Sequence, residues 1–436
     1  MGKRRKETIN VVGVARFDGL RFLRLLAVLA PCCLVSSAAA EEKITAIQGG
    51  DLYTITSGII RNGTILIENG KIANIGQDIE LPKEAKVIDA KGKVVVPGFV
   101  AATTWFTAMS RFRDVSKIAD SLDPFHYSVS LGLASGVTTA FITAATPWYM
   151  TRGETPGDNP IGGTNAVIKM TYGDLDNMLI REPVAESVSL SSGRWLRKTN
   201  FVLGLKKARA YLNRRAAYEK SKDDKKAEEP AKPADIDPYL RLLRRELPAR
   251  VEAATAADIR AALELVDEFG IRMILEGGVE AWIVAEEIAR RDAYVIFTPR
   301  AKQEPNKDIS GPSGSNLEAA AILKKAGVKF AIVPAYPSFN GSAGRDLMAL
   351  PMEAAFAVSG GLDEPAAMEA ITLTAAEILG VADRIGSLQA GKDADIIILD
   401  GHPFHYRSFV ELTLVNGKVV YDKKQSTYFS HITPGD

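Results

Sequence analysis

Gly92-Lys-Val-Val-Val-Pro-Gly-Phe-Val-Ala-Ala-Thr-Thr-Trp105 decides how the rest of the chain is read. A β-branched run, Val94 to Val96, meets a Pro-Gly break, and a second apolar run, Phe99 to Ala102, follows at once. β-Branched residues favour strands and Pro-Gly interrupts them, so one strand ends and another begins within a few residues. The stretch therefore reads as the last strand of one domain turning into the first strand of another.

On the N-terminal side, Ile44 to Val96 is strand-rich. Gly63-Thr-Ile-Leu-Ile-Glu-Asn-Gly-Lys-Ile-Ala-Asn-Ile-Gly76 breaks at Asn69-Gly70. Asn-Gly is a strong hairpin signal because both positions accept positive φ. The pattern returns near the other end, in Asp393-Ala-Asp-Ile-Ile-Ile-Leu-Asp400 and in Leu414-Val-Asn-Gly-Lys-Val-Val-Tyr421. Two strand-rich ends around a mixed middle predict a small composite β-sandwich from residues 41–97 and 381–436.

The middle, residues 98–380, alternates. Strands are expected at Gly136-Val-Thr-Thr-Ala-Phe-Ile-Thr, Arg250-Val-Glu-Ala-Ala, Arg272-Met-Ile-Leu-Glu, Tyr294-Val-Ile-Phe-Thr and Val328-Lys-Phe-Ala-Ile-Val. Helices are expected at Asp258–Phe269, Glu280–Arg291, Asn316–Ala326, Arg345–Ser359 and Glu364–Leu379. The last four strands start 22, 22 and 34 residues apart, the spacing of βα units in a parallel sheet. The expected fold is α/β, a (β/α)8 TIM-like barrel; a doubly wound open sheet is the alternative, without a Gly-x-Gly-x-x-Gly to support it. Residues 214–237 differ in kind. Fourteen of the 24 are charged, with Pro230 and Pro233 among them, which predicts a solvated insertion or an extended exposed helix.

Across 436 residues the net charge is +1, which argues against nucleic acid as a main partner. The first forty residues hold seven Lys or Arg against two acids, and Leu25 to Val35 forms an apolar core before Ala38-Ala39-Ala40. A basic lead, a short apolar run and small residues read as a secretory signal cleaved after Ala40, giving a secreted or periplasmic protein without a membrane span. Both cysteines, Cys32 and Cys33, lie in that segment, so the remainder has neither a disulfide nor a thiolate.

Several of these motifs together resemble the amidohydrolase superfamily, most closely its imidazolonepropionase-related branch. They are Val87-Ile-Asp-Ala-Lys-Gly-Lys-Val-Val-Val-Pro-Gly, Gly386-Ser-Leu-Gln-Ala-Gly-Lys-Asp-Ala-Asp-Ile, Val415-Asn-Gly-Lys-Val-Val-Tyr, and Thr372 to Gly380, similar to Thr-x-x-x-Ala-x-x-Leu-Gly. The resemblance implies a barrel whose mouth holds one or two divalent metals, often zinc, on histidines, with an aspartate taking a proton from metal-bound water. Pro-Gly-Leu-Ile-Asp-x-His-x-His of the family falls on Ala101, Thr103 and Trp105. Arg-Val-His-Ala-His falls on Glu252 and Ala254, Leu-Glu-His-Gly on Gly277, and the final Thr-Asp on Ala335 and Tyr336. Lys169 matches a lysine found at its place in relatives. The chain has four histidines, His126, His402, His405 and His431, of which His126 alone lies in the barrel segment.

By this reading the metal ligands are lost, and no metal or cofactor is expected. The vestigial positions are Thr103, Trp105, Glu252, Ala254, Gly277 and Tyr336. A ligand pocket is expected from Trp105, Lys169, Glu252, Glu276 and Tyr336, with Asp174 in reach. The functional expectation is an exported pseudoenzyme with a binding or structural role, taking a small-molecule ligand or forming a homo-oligomer or a heteromer with an active relative. The alternative is a working hydrolase of non-peptide C–N bonds, rearranged around Glu252, Glu276 and Lys169.

Overall fold

The computed structural model describes residues 44–104, 107–109, 117–143, 160–190, 195–222, 228–334, 346–427 and 429–431. Trp105, Tyr336, Ala335 and the leader fall outside them. Among the described residues no helix is long and apolar enough to cross a membrane.

The first sheet is built from both ends of the sequence. Strands β1 (Thr45–Tyr53), β2 (Ile59–Glu68), β3 (Lys71–Gly76), β4 (Lys86–Asp89) and β5 (Val94–Pro97) come first. After the second sheet region the chain returns as the late strands Ile396–Leu399, Val410–Val415 and Lys418–Asp422. All eight are linked by hydrogen bonds. The sheet branches at β1, which pairs with β4 through residues 45–48 and with β5 through residues 51–52. Gly49, at φ 84°, and Gly50 stand at the branch, where a glycine backbone bends without steric penalty. Ile47, Leu52, Ile65, Ile67, Val95 and Ile396 form the core beneath it. Both Asn-Gly turns adopt positive φ at each position, 51° and 79° at Asn69-Gly70 and 48° and 72° at Asn416-Gly417. That geometry matches the right-handed twist of the flanking strands.

Gly98 alone separates β5 from β6 (Phe99–Ala101). A Cβ on Gly98 would lie 2.0 Å from Thr138 Oγ1, so the crossing between the sheets requires glycine. From β6 the chain continues through α1 (Tyr127–Ala134), β7 (Val137–Thr143), β8 (Asn165–Lys169), β9 (Leu179–Arg181) and β10 (Glu186–Val188). Next come α2 (Trp195–Lys220), α3 (Asp237–Leu243), β11 (Ala249–Glu252), α4 (Ala256–Phe269), β12 (Met273–Glu276), α5 (Ala285–Ala289), β13 (Tyr294–Phe297), α6 (Ala319–Lys325) and β14 (Phe330–Ile332). Helices α7 (Leu350–Ser359), α8 (Glu364–Ala370) and α9 (Leu373–Ile378) precede the return strands, β15 to β17.

Strands β10 to β14 form a parallel five-stranded sheet. β6 and β7 are parallel, but β8 runs antiparallel to β7, with Thr139 opposite Lys169 and Thr143 opposite Asn165. The all-parallel expectation is corrected there. The α/β, TIM-like architecture holds, with its strands in two ladders rather than one hydrogen-bonded ring among the described residues. Alternation along each strand divides two cores. Val100, Ala102, Phe141, Val167, Ile274, Ile296 and Ala331 pack on the inner face. Ala101, Ala140, Val251, Leu275, Val295 and Ile332 pack outward against the helices. Both faces are covered, which explains the continuously apolar strands.

Local chemistry sets the helices. Thr255 and Asp258 make a reciprocal capping box at the start of α4, and Gly270 at φ 68° ends it; such boxes satisfy two otherwise orphaned N–H donors. The charged stretch 214–237 begins as the last turns of α2, anchored by buried Phe201, Leu205 and Ala208. Phe201 meets Tyr239 of α3 at 5.8 Å between ring centroids. Gly204 allows that approach, since a Cβ there would lie 2.2 Å from the Tyr239 ring.

Candidate functional site at the barrel mouth

The inward positions at the C-terminal ends of β6, β11 and β12 meet in one hydrogen-bonded cluster. Strand alternation turns Arg250 and Glu276 to the inner face, the face of Phe141 and Ile274. Arg250 Nε donates to Glu276 Oε2 at 2.7 Å and Nη2 to Oε1 at 2.8 Å. Thr103 Oγ1 donates to Glu276 Oε1 at 2.7 Å. Arg250 Nη2 also reaches the Ala102 carbonyl at 3.1 Å and the Thr103 hydroxyl. The guanidinium lies 3.8 Å from the Phe141 ring centroid, a cation–π arrangement worth about 2 kcal/mol when desolvated.

Burial of Glu276 pushes its carboxyl upward, but the charge and hydrogen bonds of Arg250 and the Thr103 hydroxyl outweigh it and hold the group below the ordinary glutamate value. Glu276 is thus an ionised acceptor with both oxygens engaged. It is neither a proton donor nor an uncommitted ligand.

The positions around this cluster carry few donors. Gly277, at φ 86°, sends its N–H to Ile296 O at 2.8 Å, and a Cβ there would meet open space. Ala254 presents its carbonyl to Glu280 N at 2.9 Å. Glu252 is exposed at the end of β11, in register with Glu276. Thr103 is spent on Glu276, and Trp105 and Tyr336 lie outside the described residues. The structure therefore brings Thr103 and Glu276 into contact and sets Glu252 and Gly277 at the same strand ends.

It does not bring Lys169 there. Because β8 is antiparallel, Lys169 ends at the opposite end of the strands from the mouth. It is fully buried and donates to Asp393 Oδ2 at 2.8 Å, to Asp395 Oδ1 at 3.0 Å and to the Asn416 side chain. The expectation that Lys169 lines a pocket with Glu252 and Glu276 is corrected. Asp174 is also elsewhere, held by Asn177 and 3.4 Å from Lys418 Nζ. His126 caps α1, with Nδ1 2.6 Å from Ser128 Oγ, and burial pulls its pKa down. His402 and His405 accept from backbone N–H groups of their own turn.

Two residues that carry this site, Arg250 and Phe141, were not singled out from the sequence. Arg250 stands two positions before Glu252, so the period of two along a strand would have turned both to one face.

The sequence model of the amidohydrolase family matches residues 249–426. The structure superposes on an amidohydrolase from Thermotoga maritima MSB8 with a TM-score of 0.66 and 26% identity, over 87% of this chain and 100% of that one. The chain belongs to the amidohydrolase superfamily. Among curated relatives, amidohydrolase tasK of Hapsidospora irregularis is 23% identical over 419 residues, 83% of this chain and 40% of that protein. The imidazolonepropionase of Geobacillus kaustophilus is 52% identical over 50 residues, 10% of this chain and 12% of that protein. The chain thus spans well under half the length of either curated relative.

A divalent metal is the usual cofactor of amidohydrolases, and the mouth positions among the described residues offer few donors for one. The Glu276 carboxylate is neutralised by a buried guanidinium. Gly277 and Ala254 offer no side-chain donor, and Glu252 is the one remaining carboxylate of the positions named. Among the described residues no three His, Cys, Asp or Glu side chains group closely enough to hold an ion. Histidine nitrogens and several carboxylate oxygens are what catalytic metals of this kind require.

Proposed function

We propose that this chain is an exported member of the imidazolonepropionase-related branch of the amidohydrolases that has lost metal-dependent hydrolysis. In this reading the barrel serves as a binding or structural subunit, as a homo-oligomer or beside an active relative. The observation that carries it is the Glu276 carboxylate: both oxygens are taken by Arg250 and Thr103, beneath positions that offer no imidazole. The 50-residue match to an imidazolonepropionase supports the branch, and the basic lead with its apolar core supports export. A hydrolase rearranged around Glu252, Glu276 and Lys169 loses its lysine to the far end of the strands.

Elemental analysis of protein purified without a histidine tag tests this proposal. Less than about a tenth of an equivalent of metal, unchanged after incubation with zinc or manganese, is expected. Near-stoichiometric metal that Glu252→Ala removes would overturn it.

A further inference from the structure

A cleft of about 600 Å³ opens between α7 and the loop joining β15 to β16. Phe99, at the start of β6, and Ser135, after α1, line its floor, which places it away from the Arg250–Glu276 cluster at the other end of the strands. Among the described residues no Lys, Arg, Asp or Glu lines it; its walls are aromatic rings, His405 among them, two methionines, Leu399, Val410 and small residues.

Two of the rings lie against cations that do not themselves line the cleft. The Arg300 guanidinium lies 4.5 Å from the Phe356 centroid and bonds Glu353 Oε1 at 2.9 Å. Lys423 Nζ lies 4.7 Å from the Phe409 centroid and 3.6 Å from Asp400 Oδ2. At the lip, the Tyr406 ring is 87% exposed and stacks on His405 at 4.9 Å, and Met352 on α7 is 47% exposed.

These features select a guest. An uncharged lining gives a charged molecule nothing for its lost hydration. Ring faces and thioethers favour flat, polarisable groups. The volume lies within the range of small-molecule sites, which concentrate where structural units join.

We propose that this cleft binds a neutral, flat, mainly apolar small molecule against the Phe356 and Phe409 rings, with Tyr406 and Met352 at its entrance. The probe is N-phenyl-1-naphthylamine, an uncharged planar fluorophore, titrated into the full chain. A saturable one-to-one rise in fluorescence is expected. Ala355→Trp, which fills the cleft, should weaken binding at least tenfold, and Met352→Lys, a charge at an exposed lip position, should weaken it severalfold. Circular dichroism and Tm monitor folding of both variants. Should Ala355→Trp fail to fold, Met352→Lys alone decides. The absence of a saturable signal, or a signal untouched in the folded variants, would overturn the proposal. So would light scattering that shows a dimer which excludes the dye and dissociates with Met352→Lys, because the occupant would then be a second copy of the chain.

Discussion

Lys169 of β8 and Asp395, which precedes β15, lie 3.0 Å apart with side chains 0% and 3% exposed. This ion pair ties the inner strands to the composite sheet, and Asp393, 2.8 Å from the same ammonium, completes it. Removing one partner of a buried pair leaves an uncompensated charge, which costs about 3–5 kcal/mol. Lys169→Ala is expected to destabilise the protein by that amount in denaturant titrations. A change below about 1 kcal/mol would mean that the two carboxylates find other partners.

The same cluster gives stability an acid limb. Burial pushes Asp393 upward, but hydrogen bonds and charge from Lys169, Lys71 and Arg384 prevail and lower its pKa from 3.8 to about 2. An acid depressed in the folded state contributes stability above its unfolded pKa and loses it as pH falls through the folded one. The contribution, about 2 kcal/mol, should be complete above about pH 4 and disappear towards pH 2. Urea midpoints measured across that window should fall steeply in the wild type and less so in Lys169→Ala.

At the barrel mouth, Arg250→Met leaves the Glu276 carboxylate, whose side chain is 21% exposed, without its cation, and is expected to destabilise by about 2–3 kcal/mol, less than for a fully buried charge. Arg250→Met combined with Glu276→Leu removes both charges and should recover most of that loss, because well-packed apolar replacements of a buried pair are often neutral. A double-mutant cycle on unfolding free energies measures the coupling. Additive single effects would contradict the contact.

Chelation should leave the protein unchanged. A folded state with a bound metal is stabilised by mass action, so stripping the metal lowers Tm. Here Tm in EDTA and in excess zinc is expected to agree within about 1 °C. A shift of several degrees would place an ion in the folded protein and contradict the donor-set argument.

Gly98→Ala tests the crossing between the sheets. The added methyl would stand 2.0 Å from Thr138 Oγ1, and overpacking of this kind costs about 1–3 kcal/mol. Gly98→Ala with Thr138→Ser removes one of the three crowding atoms and should recover only part of the loss, as read from thermal melts.

Spacing and alternation made much of this architecture legible. The Pro-Gly break fell at the crossing between sheets, and the 22-residue intervals marked the parallel strands. Direction was not legible for β8. The three apolar residues Ala166 to Ile168 suit a strand without saying which way it points, and that direction decides which end Lys169 occupies. For residues 214–237 the extended exposed helix is one of two expectations, and it holds for 214–220; the buried start of α2, with Phe201, Leu205 and Ala208 at helical spacing, lies upstream of the charged stretch. The mouth cluster is half legible: Glu276 stands out at a strand end, whereas nothing in the β11 run marks Arg250 as different from its neighbours.

Strand β5 also constrains how the protein is made. Its parallel neighbour β1 is synthesised early, but its antiparallel neighbour β15 comes late, and Val94 finally pairs with Leu399. At typical synthesis rates the interval between them is on the order of 15–60 s. Through that time the nascent chain carries one unpaired, β-branched edge, which is a template for pairing with other chains. Ribosome-bound chains that end before β15 are therefore the species most prone to aggregate, and a chaperone that shields β5 would act within that interval.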